Sequence, residues 1–158
     1  MNPELQEYIL TNPALKKFLE MFPKELMETA SLVRYPKKTN VIGKGDIVEY
    51  LYIIVEGEAL LKNELRSGKQ YSYVTLNPYE FLGDLSLLSG YLTFVGTVNA
   101  GTDMTVVRIP TKSVQKTLET DFAFYKLLTK GVTRKFFDDS FIRGRDVYLI
   151  SLDKLKVF

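Results

Sequence analysis

The stretch VIGKGDIVEYLYIIVEG, residues 41–57, decides the fold class of this 158-residue chain. Two apolar residues precede Gly45-Asp46, and a further apolar run leads to a second glycine, Gly57. Glycine and aspartate favour tight turns, whereas β-branched and aromatic residues favour strands. The stretch therefore predicts a strand, a tight turn, a longer strand and another turn.

The same strand pattern continues on both sides of this stretch. Short segments rich in β-branched and aromatic residues, separated by turn formers, run from residue 31 to residue 110. Many short strands at regular spacing predict a β-sandwich or a barrel. Because helices do not alternate with these strands, a parallel nucleotide-binding sheet is not expected.

Helical patterns flank the predicted β-region. Residues 1–30 predict a helical cap, and residues 111–150 predict a short helix followed by a long one. One face of the long helix carries four apolar residues at helical spacing: Phe124, Leu128, Val132 and Phe136. A compact β-domain does not cover such a helix along its whole length, so the stripe predicts a partner helix from a second copy. Folding of its first two turns back onto the β-region is the alternative.

Two residue types are missing from the chain, and their absence excludes several kinds of site. There is no cysteine, which excludes Fe–S clusters and thiolate zinc sites. There is no histidine, which excludes His-ligated haem and His-based catalytic triads. Oxygen-only sites for magnesium or calcium stay open, although no DxDxDG-type calcium loop occurs in the sequence. We predict no metal, no cofactor and no enzymatic activity. A jelly-roll enzyme with a His-ligated metal, as in cupins, is disfavoured for the same reason.

The distribution of apolar residues bears on where the protein acts. No apolar run approaches the roughly 20 residues needed to cross a bilayer. The N-terminal MNPELQEYIL carries two glutamates and lacks the basic start of a signal peptide. The sequence therefore predicts a cytoplasmic protein without a membrane partner.

A second stretch, FLGDLSLLSGYLTFVGTVNA at residues 81–100, completes the signature. Together, the two stretches resemble the cyclic-nucleotide-binding domain of the CRP/FNR (catabolite activator) superfamily of bacterial transcription regulators. The resemblance covers roughly residues 14–145 and implies a mainly β fold with flanking helices. That fold is a double-stranded β-helix, or jelly roll, followed by a long dimerisation helix. The matching residues of the first signature are Val41, Ile42, Gly45, Asp46, Leu51–Ile54 and Gly57, whereas Val48 replaces a small residue.

The resemblance also implies a phosphate-binding cassette, which is degenerate here. Asp84 replaces the glutamate that would hold the ribose 2′-hydroxyl, and Phe94 stands where the phosphate-binding arginine is expected. A phenylalanine cannot replace the charge-assisted contact of that arginine, which is worth about 1.5–3 kcal/mol. We therefore predict that the chain binds neither cyclic AMP nor cyclic GMP. The candidate pocket residues are Gly83, Asp84, Leu85, Ser86, Phe94, Val95 and Gly96.

These observations predict the sensory and dimerisation domain of a CRP/FNR-like transcription regulator. The resemblance implies a homodimer through the long helix, with an unknown small molecule or protein as effector, or none. It also implies that DNA binding belongs to a helix-turn-helix domain absent from this chain, and residues 151–158 are predicted to begin it. The alternative is a stand-alone ligand-binding or scaffold module without a role in DNA binding.

Overall fold

The computed structural model describes residues 1–64 and 71–142, without the side chains of residues 63–64, 71–72, 136 and 138–142. The predicted segment 151–158, and residues 143–150 of the segment before it, lie outside the described residues. Three short helices begin the chain: α1 (Pro3–Leu10), α2 (Pro13–Leu19) and α3 (Lys24–Glu28). Asn2 caps α1, because its side chain accepts a hydrogen bond from the backbone N–H of Leu5.

The strands of the described residues form two four-stranded antiparallel sheets. The strands are β1 (Ser31–Tyr35), β2 (Asn40–Ile42), β3 (Tyr50–Glu56), β4 (Ala59–Glu64), β5 (Tyr71–Leu76), β6 (Phe81–Leu82), β7 (Thr97–Ala100) and β8 (Met104–Pro110). The first sheet has the order β1-β8-β3-β6, and the second has the order β2-β7-β4-β5. Non-consecutive strands are neighbours in both sheets, as in a jelly roll. The mainly β fold predicted from the sequence is therefore confirmed.

The glycines of residues 41–57 make the turns that the sequence predicts. Gly45 has φ +88° and Gly57 has φ +81°, a region that residues with a Cβ rarely adopt. A Cβ at Gly57 would lie only 2.3 Å from the carbonyl oxygen of Asp103. Glycine is therefore required at position 57 both by backbone conformation and by space.

The hydrophobic core lies between the sheets and beneath the flanking helices. Leu51, Ile53 and Ile54 of β3 are fully buried, although neighbouring side chains of a strand point to opposite faces. Such a strand is covered on both sides, which explains its continuous apolar sequence. The helices packed around the sheets include α4 (Asp84–Ser89), α5 (Thr111–Thr120) and the long α6 (Phe122–Ile142).

The first turns of α6 pack against their own domain. Phe124 and Leu128 are fully buried within the single chain, and the ring of Phe124 lies 5.8 Å from that of Phe22. These two side chains have no exposed surface with which to contact a second copy. Their burial matches the alternative in which the first two turns of the helix fold back onto the β-region. Val132 is half-buried, and the side chain of Phe136 lies outside the described residues. An interface on α6 would therefore need residues other than Phe124 and Leu128.

Candidate ligand site

A cavity of about 800 Å³ lies between the second sheet, α4 and α6. Its floor is apolar, because Leu61 of β4 pairs in register with Val74 of β5 and with Val98 of β7. Side chains at paired positions of adjacent strands point to the same face of a sheet. All seven candidate pocket residues line this cavity: Gly83, Asp84, Leu85, Ser86, Phe94, Val95 and Gly96.

The turn before α4 requires the glycine that the sequence singled out. Gly83 has φ +93°, and a Cβ there would lie 3.3 Å from the carbonyl oxygen of Tyr50 and 3.4 Å from Cε1 of Phe94. Gly83 therefore provides a left-handed backbone and lets the ring of Phe94 approach closely. Both the direction of α4 and the position of Phe94 depend on this residue.

Phe94 joins the two sequence signatures in space. Its N–H donates to the carbonyl oxygen of Asp46 at 2.9 Å, and the N–H of Gly45 donates to the carbonyl oxygen of Phe94 at 2.8 Å. Phe94 is 9% exposed, and its ring packs beside Gly83. Ser86 adds a third link, since its hydroxyl donates to the carbonyl oxygen of Thr93 at 3.1 Å. The turn of the first signature and the cassette thus form one hydrogen-bonded unit.

Asp84 connects the cassette to the long helix. Its Oδ1 accepts a hydrogen bond from Nζ of Lys135 at 2.8 Å and another from the N–H of Leu85 at 3.0 Å. The same Nζ donates to the carbonyl oxygen of Phe81 at 2.6 Å. Asp84 is 1% exposed, and its Oδ2 has no hydrogen-bond partner among the described residues. The carboxylate therefore anchors α6 to α4 through a largely buried ion pair.

A glycine on α6 makes this ion pair possible. A Cβ at Gly131 would lie 2.9 Å from Cδ2 of Phe81 and 3.8 Å from Oδ2 of Asp84. Without a side chain at this position, α6 can approach β6 and the start of α4 closely. Lys135 follows one helical turn later and reaches Asp84 from there.

Sequence reasoning found the cassette side of the site but did not place Lys135 or the strand β5 at it. Lys135 lies four residues after Gly131 and seven after Leu128, on the helix face that includes Phe124. A lysine on a face that otherwise packs against the core is the signal that could have identified it. Val132, assigned by sequence to a dimer face, also lines the cavity.

The described part of the cavity lining carries few charges. Among these described residues, the charged ones are Glu80, Asp84 and Lys135. No group of three or more metal-ligating side chains occurs in the part of the chain that the structure describes. Within residues 1–64 and 71–142, no helix is long and apolar enough to cross a bilayer.

A family model of the cyclic nucleotide-binding domain matches residues 32–121, more than half of the chain. The chain belongs to this family. The match contains both signatures and most of the cavity lining, and it confirms the resemblance at the level of the domain family.

Relatives of known function are cAMP-activated global transcriptional regulators called CRP, from Salmonella typhimurium and Klebsiella aerogenes. Each is 25% identical to this chain over 127 residues, which cover 80% of this chain and 59% of the relative. The chain thus spans about 59% of the length of these relatives. Their names describe regulators and not enzymes.

Solved structures with the same fold include the sensor domain of the transcriptional regulator DNR from Pseudomonas aeruginosa. It has a TM-score of 0.64 and 19% identity, with 85% of this chain and 96% of that domain covered. The regulatory subunit of a cAMP-independent protein kinase A from Trypanosoma brucei also has a TM-score of 0.64, with 20% identity and coverage of 80% and 46%. At these identities, the likeness supports the fold alone.

Proposed function

We propose that this chain is the sensory and dimerisation part of a CRP/FNR-like transcription regulator that does not bind cyclic nucleotides. The named relatives support the regulatory role, and the jelly roll with its long helix supports the domain type. In this proposal the domain catalyses no reaction. Specific DNA binding is carried by a separate helix-turn-helix domain.

Phe94 is the observation that carries the proposal about cyclic nucleotides. The resemblance places the phosphate-binding arginine at this position, where a buried ring packs beside Gly83 instead. Among the described lining residues, Lys135 is the one lysine or arginine, and its ammonium group already donates to Asp84 and to the backbone of Phe81. A cyclic phosphate would thus lose its hydration without gaining a matching cation.

Calorimetric titration of the 158-residue chain with cyclic AMP and cyclic GMP should show no saturable binding at micromolar concentrations. Losing a charge-assisted contact of about 1.5–3 kcal/mol weakens binding by roughly 10- to 150-fold. The cAMP-activated CRP of Salmonella typhimurium is the positive control. Micromolar affinity of this chain for either nucleotide would overturn the proposal.

The dimer is proposed to use a second face of α6. Phe122 is 73% exposed and Tyr125 is 44% exposed. Thr129 is exposed and Val132 is half-buried, and the four positions follow the 3-4-3 spacing of a coiled-coil seam. At about 100° per residue, this seam lies beside the face that packs against the core. A second copy of α6 would cover the exposed aromatic rings of Phe122 and Tyr125.

Tyr125→Glu should convert the dimer to a monomer at micromolar protein concentration, because the seam would then bury two carboxylates side by side. Size-exclusion chromatography with light scattering measures the mass. Lys130→Gln is the matched control, since it also changes the charge by one unit at an exposed position away from the seam. A Tyr125→Glu protein that keeps the mass of a dimer would place the interface elsewhere.

A further inference from the structure

We infer that the cavity binds an uncharged, mainly apolar small molecule and excludes anions. The inference rests on the proposed role of this domain as a sensor and specifies the class of its effector. Three observations carry it: the size of the cavity, the chemistry of its floor, and the state of the charged groups that line it.

The size and floor of the cavity suit an organic ligand. Its volume of about 800 Å³ falls within the roughly 300–1,000 Å³ of typical small-molecule sites. The paired side chains of Leu61, Val74 and Val98 form an apolar surface on which a ring system or a branched chain can pack. Phe94 extends the apolar surface to the cassette, where a nucleotide phosphate would otherwise lie.

The charged groups of the lining disfavour an anion. Glu80 and Asp84 oppose the single cation Lys135, so these described groups have a net charge of −1 (one positive minus two negative). Two of the three Nζ hydrogens of Lys135 are already donated within the chain. An anionic ligand would lose water and meet a net negative lining, which raises the free energy of binding.

The same groups also offer little to a cation. Oδ2 of Asp84 has less than 1 Å² of exposed surface, so a ligand cannot contact it without a rearrangement. Oδ1 of Asp84 is paired with Lys135. Oε2 of Glu80 accepts a hydrogen bond from the N–H of Asn77 at 2.7 Å. Both carboxylates are thus engaged in the structure, and the remaining surface favours a neutral molecule.

A ligand in this cavity would contact α6 directly. Val132 and Thr133 line the cavity on one side, while the cassette lines it on another. Val132 also belongs to the proposed dimer seam. Ligand binding in the cavity would therefore affect the segment of α6 through which a second copy is proposed to bind.

Two fluorescent dyes that share their ring system test the inference. N-phenyl-1-naphthylamine is uncharged, and 8-anilinonaphthalene-1-sulfonate carries the same rings with one sulfonate. We expect saturable binding of the uncharged dye, one molecule per chain, when the 158-residue protein is titrated and fluorescence is measured. The sulfonate should bind at least about tenfold more weakly, because its charge is desolvated without a partner.

Three variants separate the cavity from the protein surface. Val74→Phe fills the floor from the edge strand β5 and should weaken binding of the uncharged dye about tenfold. Ile47→Ser is the control for surface binding, since Ile47 is 69% exposed and outside the lining, and it should leave the affinity unchanged. Glu80→Gln removes one negative charge without repacking the cavity. It should strengthen sulfonate binding by roughly threefold and leave the uncharged dye unaffected.

Each outcome bears on one of the two proposals. Equal affinity for both dyes, no binding of the uncharged dye, or a normal affinity in a folded Val74→Phe protein would overturn the inference about the ligand class. If Val74→Phe does not fold, the affinity of the sulfonate dye for the Glu80→Gln protein tests the electrostatic part of the inference. An unchanged affinity would overturn the inference. Calorimetry with cyclic AMP reports separately on the proposed function, which stands if neither cyclic AMP nor the uncharged dye binds.

Discussion

Lys135→Met should lower the free energy of unfolding by about 3 kcal/mol, because it leaves the carboxylate of Asp84 buried without a charged partner. The Asp84 side chain is 2% exposed and that of Lys135 is 25% exposed. Removing one member of a buried ion pair costs about 3–5 kcal/mol, and the partial exposure of Lys135 places the effect at the lower end. The variant also frees the carbonyl oxygen of Phe81 from its hydrogen bond.

Urea unfolding followed by circular dichroism measures this loss. Lys130→Met is the matched control on the same helix, and because Lys130 is exposed it should change stability by no more than about 0.5 kcal/mol. The double variant Asp84→Asn with Lys135→Met should recover most of the stability, since it removes the uncompensated charge. Equal stability of the Lys135→Met and Lys130→Met proteins would show that the ion pair contributes little.

The role of Asp84 illustrates which part of the site could be predicted from the sequence. The turn at Gly83 follows from local chemistry, because few residues other than glycine adopt φ near +90°. Local reasoning places Asp84 directly after this turn, in the cassette, but does not identify its partner. Its partner is 51 residues away in the chain, and the contact depends on how closely α6 approaches the roll. That distance is set by tertiary packing at Gly131, which no local pattern reveals.

The long helix α6 is a second feature that the sequence predicts only in part. Periodicity identified the apolar face that contains Phe124 and Leu128, because buried helix faces repeat every three or four residues. The repeat does not distinguish a face that packs on its own domain from one that packs on a second copy. Both kinds of surface are apolar, and only the position of α6 on the roll assigns these two residues to the core. The more exposed seam at Phe122 and Tyr125 lies beside it.

The cavity combines predictable and unpredictable parts. Comparison with the family motif was enough to place Phe94 in the cassette and to predict the loss of the phosphate-binding arginine. The floor could be predicted only in part. Val74 lies on β5, the strand that follows β4 in the chain, but Val98 belongs to β7, which is not consecutive with β4. The adjacency of Val98 to Leu61 comes from the order of strands in the second sheet. Strand order in a jelly roll depends on long-range pairing, which single-strand propensities do not encode.

Phe124→Ala should lower the free energy of unfolding by about 3–5 kcal/mol, the usual cost of removing a buried phenylalanine side chain. Phe124 has no exposed surface within the single chain, and its ring packs against that of Phe22. The destabilisation should not depend on protein concentration, because the lost contacts are made within one chain. Urea unfolding at two protein concentrations that differ about tenfold measures both the size and the concentration dependence of the effect.

Phe122→Ala is the matched control, two residues earlier on the same helix and 73% exposed. Within a single chain it should cost less than about 1 kcal/mol, because little buried surface is lost. If the seam on α6 forms the dimer, this variant should instead weaken association, and its effect on stability should grow with protein concentration. The two phenylalanines therefore test both faces of α6 with the same chemical change. If the loss of stability in Phe124→Ala depended on protein concentration, it would contradict the position of Phe124 in the core. Phe124 would then belong to the interface between two copies.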